Sequence, residues 1–576
     1  MMTEVSIQNE RIDDIPFLFF QQRVMGIPQI IDEYIPVHGN HQGLSLGWLV
    51  TGWITYILSQ SDHRLSYVEP WAQERLQTLQ ALFPEPMAAR DFTDDRLGDV
   101  LDYLSQDELW QGIEIEVGRH QIQVYQLPTE KVRLDSTSAS VYHEPNQGTL
   151  IRFGMSKDHR PDLGQFKVML SGLDPLSLPL ATLVVPGHEA DDGLYLPIIR
   201  QSRDVLGRRG LLYIGDSKME AFSTRIGIVT EGDYYLVPLS LKGKQADLLH
   251  HLVDGIWDQK ETLPLVKTVD VKTGRPKIVA RVAESSRTQS DDPETPTVSW
   301  DERILVVYSP QLAQQAESGL MGRLQRAETK LRALTPAPGR GRKQYTELLP
   351  LQIEAKRILK QHRVQDFLQV AYRRHERHQH IRKYGDRPAR TEVTVRYELQ
   401  VTRNSDAIRH AQRYLGWRLY VTNASATLLP ASEAVLTYRQ SPNFEQSFSR
   451  LKNRPLGLRP LFLRREKRII GLVRLLSLAL RVLTVVEYVV RRSLTATQKK
   501  LAGLVPGNPS LATNRPTTER LLRAFDNITL TTIQLPDQSI HHITPLSQLQ
   551  SRILALIGLP ISIYTQLEIT PEHNPP

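Results

Sequence analysis

The period of the hydrophobic pattern changes near residue 119, and this change constrains the fold of the 576-residue chain more than any other feature. Before it, apolar residues recur every three or four positions, as in 46–58 and 70–83, which predicts amphipathic helices of a soluble domain. After it, QIQVYQL (121–127) and KVRLDST (131–137) alternate apolar and polar residues, which predicts strands. We therefore expect a mainly helical N-terminal domain over residues 1–118, followed by a sheet.

The elements after this change follow a definite order. Strands are predicted at 131–137, 166–172 and 181–187, a helix at 195–207, and further strands at 211–216 and 233–241. Asp135 falls where the first of these strands ends, and Asp216 ends the apolar run LLYIGD. This order is that of an RNase H-like core, in which the first strand and the strand after the first helix are parallel neighbours. Asp135 and Asp216 would then meet at a switch point of an open α/β sheet, where ligands usually bind.

The rest of the chain divides by composition into three further regions. Residues 242–432 have a less regular order of elements, helical segments resume over 433–492, and a small C-terminal unit is expected over 503–576. Within 242–432, long helices are predicted at 310–334 and 346–378, and a loop at 285–299. Strands are predicted there at 277–283, 303–309, 391–401 and 416–422.

The positive charge of the chain is concentrated in two windows. The whole chain has 71 bases and 63 acids, a net charge of +8. Residues 373–390 hold seven bases against two acids, and residues 450–468 hold eight against one. Such clusters fit binding to a phosphate backbone, but a charge run taken alone favours a solvated helix face.

Several classes of site are excluded or disfavoured. The absence of cysteine removes disulfides, thiolate zinc sites and cysteine nucleophiles. No nucleotide-binding G-x-x-x-x-G-K-[ST] motif is present. The apolar stretch 469–490 is interrupted by Arg474, Arg481 and Glu487, which predicts a buried helix with a polar stripe rather than a membrane span. With no basic leader at the start, the expected location is the cytoplasm.

A third acid that could join the two aspartates lies in the segment from Tyr438 to Lys452. Ser441 is predicted to cap a helix with Pro442 at its first position, so that Glu445 falls in the first turns. The positive end of the helix favours the ionised carboxylate, which is the form that binds metal. Lys452 follows two turns later on the same face, where it could hold a DNA phosphate.

The spacing of this segment resembles the Y-x2-R-x3-E-x6-K signature of DDE-type bacterial insertion-sequence transposases of the insertion-sequence-four kind. Ser441 stands where that signature has Arg, so either Arg439 takes over the role of that Arg toward DNA or the role is unfilled. LDSTS, GMSKDHRPDLGQ, VVPGHEADD and YIGDSK also resemble stretches of these transposases, and the resemblance extends over about residues 119–492. DDRLGDVLDYL (94–104) resembles an N-terminal domain found ahead of one transposase subgroup.

The resemblance implies an enzyme that cuts DNA at insertion-sequence ends and transfers the freed strand into target DNA. It also implies a catalytic core over 119–241 and 433–492, with a large α+β insertion domain over 242–432 between the last core strand and the glutamate helix. It implies Asp135, Asp216 and Glu445 as the catalytic residues, holding two Mg²⁺ or Mn²⁺ ions. The residues it implies for DNA contact are Tyr438, Arg439, Arg450, Lys452 and Arg454. The implied partners are double-stranded DNA with terminal inverted repeats, target DNA and a second copy of the chain, without a membrane; the expected location is the nucleoid.

Three alternatives stay open at the level of sequence. A catalytically decayed, DNA-binding transposase derivative is compatible with Ser441. A tyrosine recombinase is suggested weakly by His410 and Arg413, which have H-x-x-R spacing ahead of Tyr438. A membrane-surface protein would use the basic and apolar stretch 450–492. The histidines at 375, 378 and 380 lie among arginines, which disfavours a metal site there.

Overall fold

The computed structural model describes residues 6–35, 43–145, 149–258, 263–270, 274–292, 294–339, 341–342, 344–535 and 538–568. The helices are α1 (Ile15–Val24), α2 (Ile27–Tyr34), α3 (Leu46–Gln60), α4 (Val68–Gln73), α5 (Leu76–Leu82), α6 (Asp94–Leu104), α7 (Asp107–Tyr125), α8 (Tyr195–Leu206), α9 (Phe222–Thr230), α10 (Lys244–Asp258), α11 (Pro310–Leu334), α12 (Leu348–His362), α13 (Ser405–Arg413), α14 (Ala431–Tyr438), α15 (Ser441–Lys452), α16 (Glu466–Ala496), α17 (Thr518–Arg523), α18 (Gln548–Ile557) and α19 (Ser562–Thr565). The strands are β1 (Ser6–Arg11), β2 (Lys131–Val141), β3 (Gly164–Leu173), β4 (Leu178–Pro186), β5 (Leu212–Ile214), β6 (Tyr234–Pro238), β7 (Leu265–Val269), β8 (Pro276–Ser290), β9 (Ser299–Tyr308), β10 (Leu368–Ile381), β11 (Arg390–Arg403), β12 (Trp417–Thr422), β13 (Thr529–Gln534) and β14 (Ser539–Ile543).

The centre of the molecule is a mixed sheet in the order β4-β3-β2-β5-β6-β12-β9-β8-β7. Strands β2, β3 and β4 form an antiparallel meander, and β5 and β6 run parallel to β2. Helix α8 connects β4 to β5, and α9 connects β5 to β6. This is the RNase H-like arrangement that the order of predicted elements indicated, so the prediction of an α/β fold with such a core is confirmed.

The sheet continues into the predicted insertion. Strand β12 pairs antiparallel with β6 on one side and with β9 on the other, and β8 and β7 complete that edge. No break in the sheet therefore separates 242–432 from the core, and the division into four domains stays a prediction. Helices α11 and α12 pack with the base of the β10–β11 hairpin around a separate apolar cluster.

Two predicted strand boundaries in the core were wrong. Residues 121–125 belong to α7, in which Val117, Gln121 and Tyr125 are buried at a spacing of four, so the short alternation there coincides with a helical face. Asp135 does not end its strand, because β2 runs on to Val141 and pairs with β3 along its whole length.

Two predicted boundaries beyond the core were also wrong. Helix α12 ends at His362, followed by Arg363 in the left-handed region at φ +52°, and residues 368–381 form a strand instead of the predicted helix. Pairing with β11 overrides the helical propensity of these residues. In the predicted loop 285–299, β8 extends to Ser290 and β9 begins at Ser299. These strand ends are polar because they are half-buried or exposed at the end of the sheet.

Helix α16 is the apolar helix that could be mistaken for a membrane span. Among the described residues it is the one helix long and apolar enough to cross a membrane, and 94% of its most apolar window is buried inside the protein. The charged residues of its polar stripe have partners inside the protein: Arg474 donates to the carbonyl of Leu104, and Arg481 to that of Leu180. The predicted buried helix is confirmed.

Candidate active site

Asp135 and Asp216 lie near the ends of a parallel strand pairing. Strand β2 pairs with β5 so that Arg133 lies opposite Ile214, the last residue of β5. Asp135 follows Arg133 by two positions within β2, and Asp216 follows Ile214 by two positions, just beyond the end of β5. The charge of Asp216 acts on Asp135, so the two carboxylates lie close enough to interact electrostatically.

The surroundings of Asp135 resist its ionisation. The pKa of Asp135 is raised to about 6, mainly by burial, with the Lys157 ammonium lowering it and the charge of Asp216 adding to the rise. One oxygen of Asp135 accepts a hydrogen bond from the backbone N–H of Ser136 at 2.7 Å. Two neighbouring carboxylates that repel each other would be stabilised by a bound cation.

Lys157 supplies a cation beside the two aspartates. Its Nζ lies 3.7 Å from Oδ1 of Asp135 and 3.2 Å from Oδ2 of Asp191. The same ammonium donates to the carbonyl and the hydroxyl of Ser136, at 2.8 and 2.7 Å. A second lysine, Lys167, donates to the other oxygen of Asp191 at 2.7 Å. Asp191 is therefore compensated by two lysines, whereas Asp135 shares one.

Asp216 is oriented by the start of helix α8. The hydroxyl of Tyr195, the first residue of that helix, donates to Oδ1 of Asp216 at 2.6 Å. The backbone N–H of Lys218 donates to the same oxygen at 2.8 Å. Burial and the charge of Asp216 raise the pKa of Tyr195 far above its ordinary value, so this tyrosine stays a hydrogen-bond donor.

Tyr438 faces the two aspartates from the end of α14. Its ring lies 4.6 Å from that of Tyr420, centroid to centroid. Burial, the neighbouring Tyr420 and the charges of Asp216 and Asp135 raise the pKa of Tyr438 well above its usual range. The helix end is attached to β2 by Arg133, which donates to the carbonyl of Thr437 at 2.6 Å.

Helix α15 begins one residue earlier than predicted. Ser441 is its first residue and Pro442 its second, with Gln440 at the N-cap, so the prediction that Ser441 caps the helix was wrong. Glu445 lies in the second turn with its side chain exposed. Among the described residues it has no hydrogen bond or ion pair, and no group of three or more His, Asp or Glu could hold a metal ion. The structure thus brings Asp135 and Asp216 together but not Glu445.

The predicted DNA-contact residues occupy different environments. Lys452 is paired at 2.8 Å with Asp158, and Arg450 is buried in ion pairs with Glu487 and Glu519. Arg454 is exposed. In the described structure, the pairs that Lys452 and Arg450 make are internal, so neither residue presents a free charge.

Arg439 lines a basic cleft of about 910 Å³ between α15 and the C-terminal half of α16. Arg491, Arg492 and Arg515 also line it, and Arg491 is paired with Glu487 at 2.7 Å. Neither Asp135 nor Asp216 borders this cleft, which is separate from the aspartate pair.

The residues of the alternative tyrosine recombinase site and of the alternative histidine metal site do not form those sites among the described residues. His410 packs against Tyr414, and Arg413 pairs with Asp254 at 2.9 Å, whereas Tyr438 lies against Tyr420. In the β10–β11 hairpin, His375 pairs with Glu398 at 2.6 Å and His378 pairs with Glu376 at 3.5 Å.

Sequence reasoning did not identify Lys157, Asp191, Tyr195 or Arg133 as members of the site. Lys157 and Asp191 lie inside GMSKDHRPDLGQ and VVPGHEADD, two stretches on which the family resemblance rests. The resemblance of these two stretches to the transposase family was the sequence signal that could have identified Lys157 and Asp191. Tyr195 begins a helix predicted from its periodicity, and nothing local marks it as a partner of Asp216.

Comparison with known proteins gives two likenesses. The family model of a domain of unknown function, DUF4277, matches residues 7–113, which form the helical start of the chain. Among solved structures, the chain is similar to a piggyBac transposase in a synaptic complex with hairpin DNA, at 8% identity and a TM-score of 0.32, over 89% of this chain and 78% of that one. No curated protein matches the chain. The activity of the chain is therefore inferred from the side chains of its own site.

Proposed function

We propose that the protein is a DDE-type transposase, which cuts DNA at the ends of an insertion sequence and joins the freed strand to target DNA. The observation that supports this most is the parallel pairing of β2 with β5 in an RNase H-like sheet, together with the electrostatic interaction between Asp135 in β2 and Asp216 just beyond β5. Tyr438, the first residue of the segment that resembles the transposase signature, faces the same two carboxylates.

The donor groups suit a hard divalent cation. Carboxylate oxygens are the preferred ligands of Mg²⁺ and Mn²⁺, and the repulsion between Asp135 and Asp216 would be relieved by such an ion. Asp135, Asp216 and Glu445 would hold two ions in this proposal. Such a pair of ions activates an attacking oxygen and stabilises a leaving oxygen in phosphoryl transfer.

Glu445 is a better candidate than Asp191 for the third carboxylate. Asp191 is held by the ammonium groups of Lys157 and Lys167, so its charge is already compensated. Glu445 is exposed and has no partner among the described residues, which leaves its side chain able to turn toward a ligand. We infer that Glu445 joins the two aspartates only when DNA or cations bind.

The proposed reaction has two phosphoryl-transfer steps. In the first, a water oxygen bonds to the scissile phosphorus while the bond from phosphorus to the 3′ oxygen breaks. That oxygen takes up a proton, leaving a 3′-hydroxyl and a 5′-phosphate. In the second, the 3′ oxygen loses its proton and bonds to a phosphorus of the opposite strand or of target DNA, releasing another 3′-hydroxyl. No side-chain nucleophile is consumed in either step.

A catalytically inactive, DNA-binding derivative is the second candidate. The observation that favours it is Lys157, whose ammonium already neutralises Asp135 and Asp191 and so reduces the need for a divalent cation. Both candidates bind DNA, and they differ in whether the aspartates cut it.

The test is nicking of duplex DNA by the full-length protein. The substrate carries the sequences that flank the coding region in its genome, where imperfect inverted repeats are expected. Asp135→Asn, Asp216→Asn and Glu445→Gln are each compared with wild type in Mg²⁺ or Mn²⁺. The matched control is Asp204→Asn, which removes the charge of an exposed aspartate on α8.

We expect cation-dependent nicking by wild type and Asp204→Asn, and a loss of at least 100-fold in the other three variants. Equal nicking by all the proteins would overturn the assignment of the site. DNA binding without nicking under either cation would favour the inactive derivative. Loss of nicking in the aspartate variants but not in Glu445→Gln would remove Glu445 from the site.

A further inference from the structure

The β10–β11 hairpin is a long two-stranded ribbon. Its strands pair over fourteen positions, from Leu368 opposite Arg403 to Ile381 opposite Arg390. At about 3.4 Å per residue the ribbon is roughly 45 Å long. It forms a sheet of its own and is not hydrogen-bonded to the central sheet.

Only the base of this ribbon is packed against the rest of the protein. Leu368 and Leu399 are buried in the apolar cluster of α11 and α12, with Tyr372 and Tyr397 packed beside them. Between positions 373 and 398 no residue is buried. We call residues 373–398 the basic arm. A hairpin without a third strand is marginally stable in water, so the arm depends on the cluster at its base.

Most of the positive charge of the basic arm is uncompensated. The arm holds eight bases and four acids. Two of the bases, Arg374 and Arg390, pair with Glu376 and Glu392 at 2.7 and 2.6 Å. The bases that have no carboxylate within 4 Å among the described residues are Arg373, Arg377, Arg382, Lys383, Arg387 and Arg396. This contrasts with the 450–468 window, in which Arg450 and Lys452 are internally paired.

The pairing register distributes these charges over one face and the tip. Successive side chains of a strand alternate between faces, so the unpaired Arg373 and Arg377 share a face with Arg396, which lies opposite His375. Two acids, Glu392 and Glu398, share that face. The tip adds three unpaired bases, Arg382, Lys383 and Arg387, around a Tyr384 that is 87% exposed.

We propose that the basic arm lies in the major groove of duplex DNA, with its tip bases on the phosphates of the groove walls. The major groove, about 12 Å wide, admits a two-stranded β-ribbon. Each uncompensated base at the tip and along one face would displace counterions from the phosphate backbone of the DNA. This inference deepens the proposed function, on which it rests, by naming a surface for the DNA.

A second protein chain fits the arm less well than DNA. Protein interfaces are depleted of charge at their centres, whereas the arm carries eight bases against four acids. A self-complementary contact between two arms would bring their like charges together, which is unfavourable. The opposite face carries the apolar residues Val393 and Val395. A contact with a protein through that face is therefore one outcome that the test must distinguish.

The test is the salt dependence of DNA binding by the full-length protein in EDTA, where cleavage does not interfere. Fluorescence anisotropy is measured with a mixed-sequence duplex longer than the arm and with a single strand of the same length. The tip variant is Arg382→Ser, Lys383→Ser and Arg387→Ser together. The matched control removes three exposed bases elsewhere, by Lys499→Ser, Lys500→Ser and Arg520→Ser.

We expect log K for duplex to fall less steeply with log salt in the tip variant, by about 0.9 for each phosphate that the variant no longer neutralises and so by up to about 2.7. The control variant should keep the wild-type slope. A second variant removes residues 376–395 and closes the arm between His375 and Arg396 with an Asn-Gly turn, which keeps the buried base. Its slope should be reduced at least as much, while its melting temperature stays that of the wild type.

Each remaining outcome contradicts a stated part of the inference. An unchanged duplex slope in both arm variants would overturn it while leaving the proposed function intact. An equal reduction of slope for duplex and single strand would exclude the groove. A change in oligomeric state with an unchanged slope would assign the arm to a protein contact. Absence of salt-dependent DNA binding by the wild type would overturn the proposed function itself.

Discussion

At the scale of single residues, the candidate site depends on a balance between carboxylates and one ammonium group. Asp135 and Asp216 repel each other, and Lys157 lies between Asp135 and Asp191. An ammonium in this position competes electrostatically with a divalent cation for the same carboxylates. The strength of this competition can be measured from cation binding, without an assay of catalysis.

Replacing Lys157 with Met should strengthen cation binding. Without the ammonium, the negative charge of Asp135 and Asp191 is less compensated, so Mg²⁺ or Mn²⁺ should bind roughly tenfold more tightly. Thermal unfolding with increasing cation concentration should show a larger rise in melting temperature for Lys157→Met than for wild type. Lys467→Met, which removes a lysine remote from the aspartates in sequence, is the control. Equal shifts in all three proteins would show that Lys157 does not compete with the cation.

Asp14 should make the stability of the helical N-terminal region depend on pH. This N-cap residue of α1 is buried, and burial raises its pKa to about 7, against a hydrogen bond with Ser59 that lowers it. Because the folded state binds the proton more tightly than the unfolded chain, stability should fall as pH rises from about 4 to about 7. Asp14→Asn should therefore raise the melting temperature at pH about 8 and change it little at pH about 4. Scanning calorimetry checks this, with the exposed Asp204→Asn as the matched control.

The sequence predicts some residues of the site and not others for a physical reason. Asp216 follows an apolar run typical of a buried parallel strand, and Asp135 lies in a strand of alternating residues, so parallel pairing of the two strands brings the aspartates near each other. Lys157 and Tyr195 reach the aspartates from a loop and a helix start, and only tertiary packing decides that approach. The predicted meeting of Glu445 with the aspartates is not found in the described residues and stays a prediction for the bound state.

At the scale of elements, burial made some segments predictable and pairing made others unpredictable. Helix α16 keeps its regular spacing of apolar residues although three charged residues interrupt it, because the charged side chains pair with groups inside the protein. Strand β10 has no such period, and it exists because β11 pairs with it along fourteen positions. A charged exposed strand and a charged exposed helix have the same local composition, so the partner strand decides between them.

The crossing of α6 and α16 should depend on one glycine. A Cβ at Gly471 would lie 2.1 Å from the carbonyl oxygen of Leu101, which is backbone and cannot move aside. Gly471→Ala should therefore lower the free energy of unfolding by about 1 to 3 kcal/mol or more. Gly319, inside α11, has open space where its Cβ would be, and Gly319→Ala should stabilise by about 0.5 to 1 kcal/mol. Urea unfolding of both variants checks the opposite signs, and equal effects would contradict the close approach of the two helices.

At the scale of the whole molecule, the two ends of the chain form one structure. Strand β1 is the edge partner of β13, and Phe17 stacks on Phe525 with their centroids 5.4 Å apart. The hydroxyl of Tyr564 donates to the carbonyl of Asp13 at 2.8 Å. The C-terminal region is also tied to the core, since Thr518 donates to the carbonyl of Leu483 in α16. Composition shifts along the sequence cannot reveal the contacts between the two ends, because those contacts join segments more than 500 residues apart.

These contacts predict that the C-terminal region unfolds together with the N-terminal helices and not as a separate domain. Phe525 is fully buried in the shared core, so Phe525→Ala should cost about 3 to 5 kcal/mol. The matched control is Phe462→Ala, since Phe462 is 58% exposed and its truncation should cost well under 1 kcal/mol. In limited proteolysis, Phe525→Ala should hasten cleavage within residues 6–35 as much as within residues 503–535, because β1 and α1 lose their partners. Faster cleavage confined to residues 503–535 would mean that the C-terminal region opens alone, and that the N-terminal helices are stable without it.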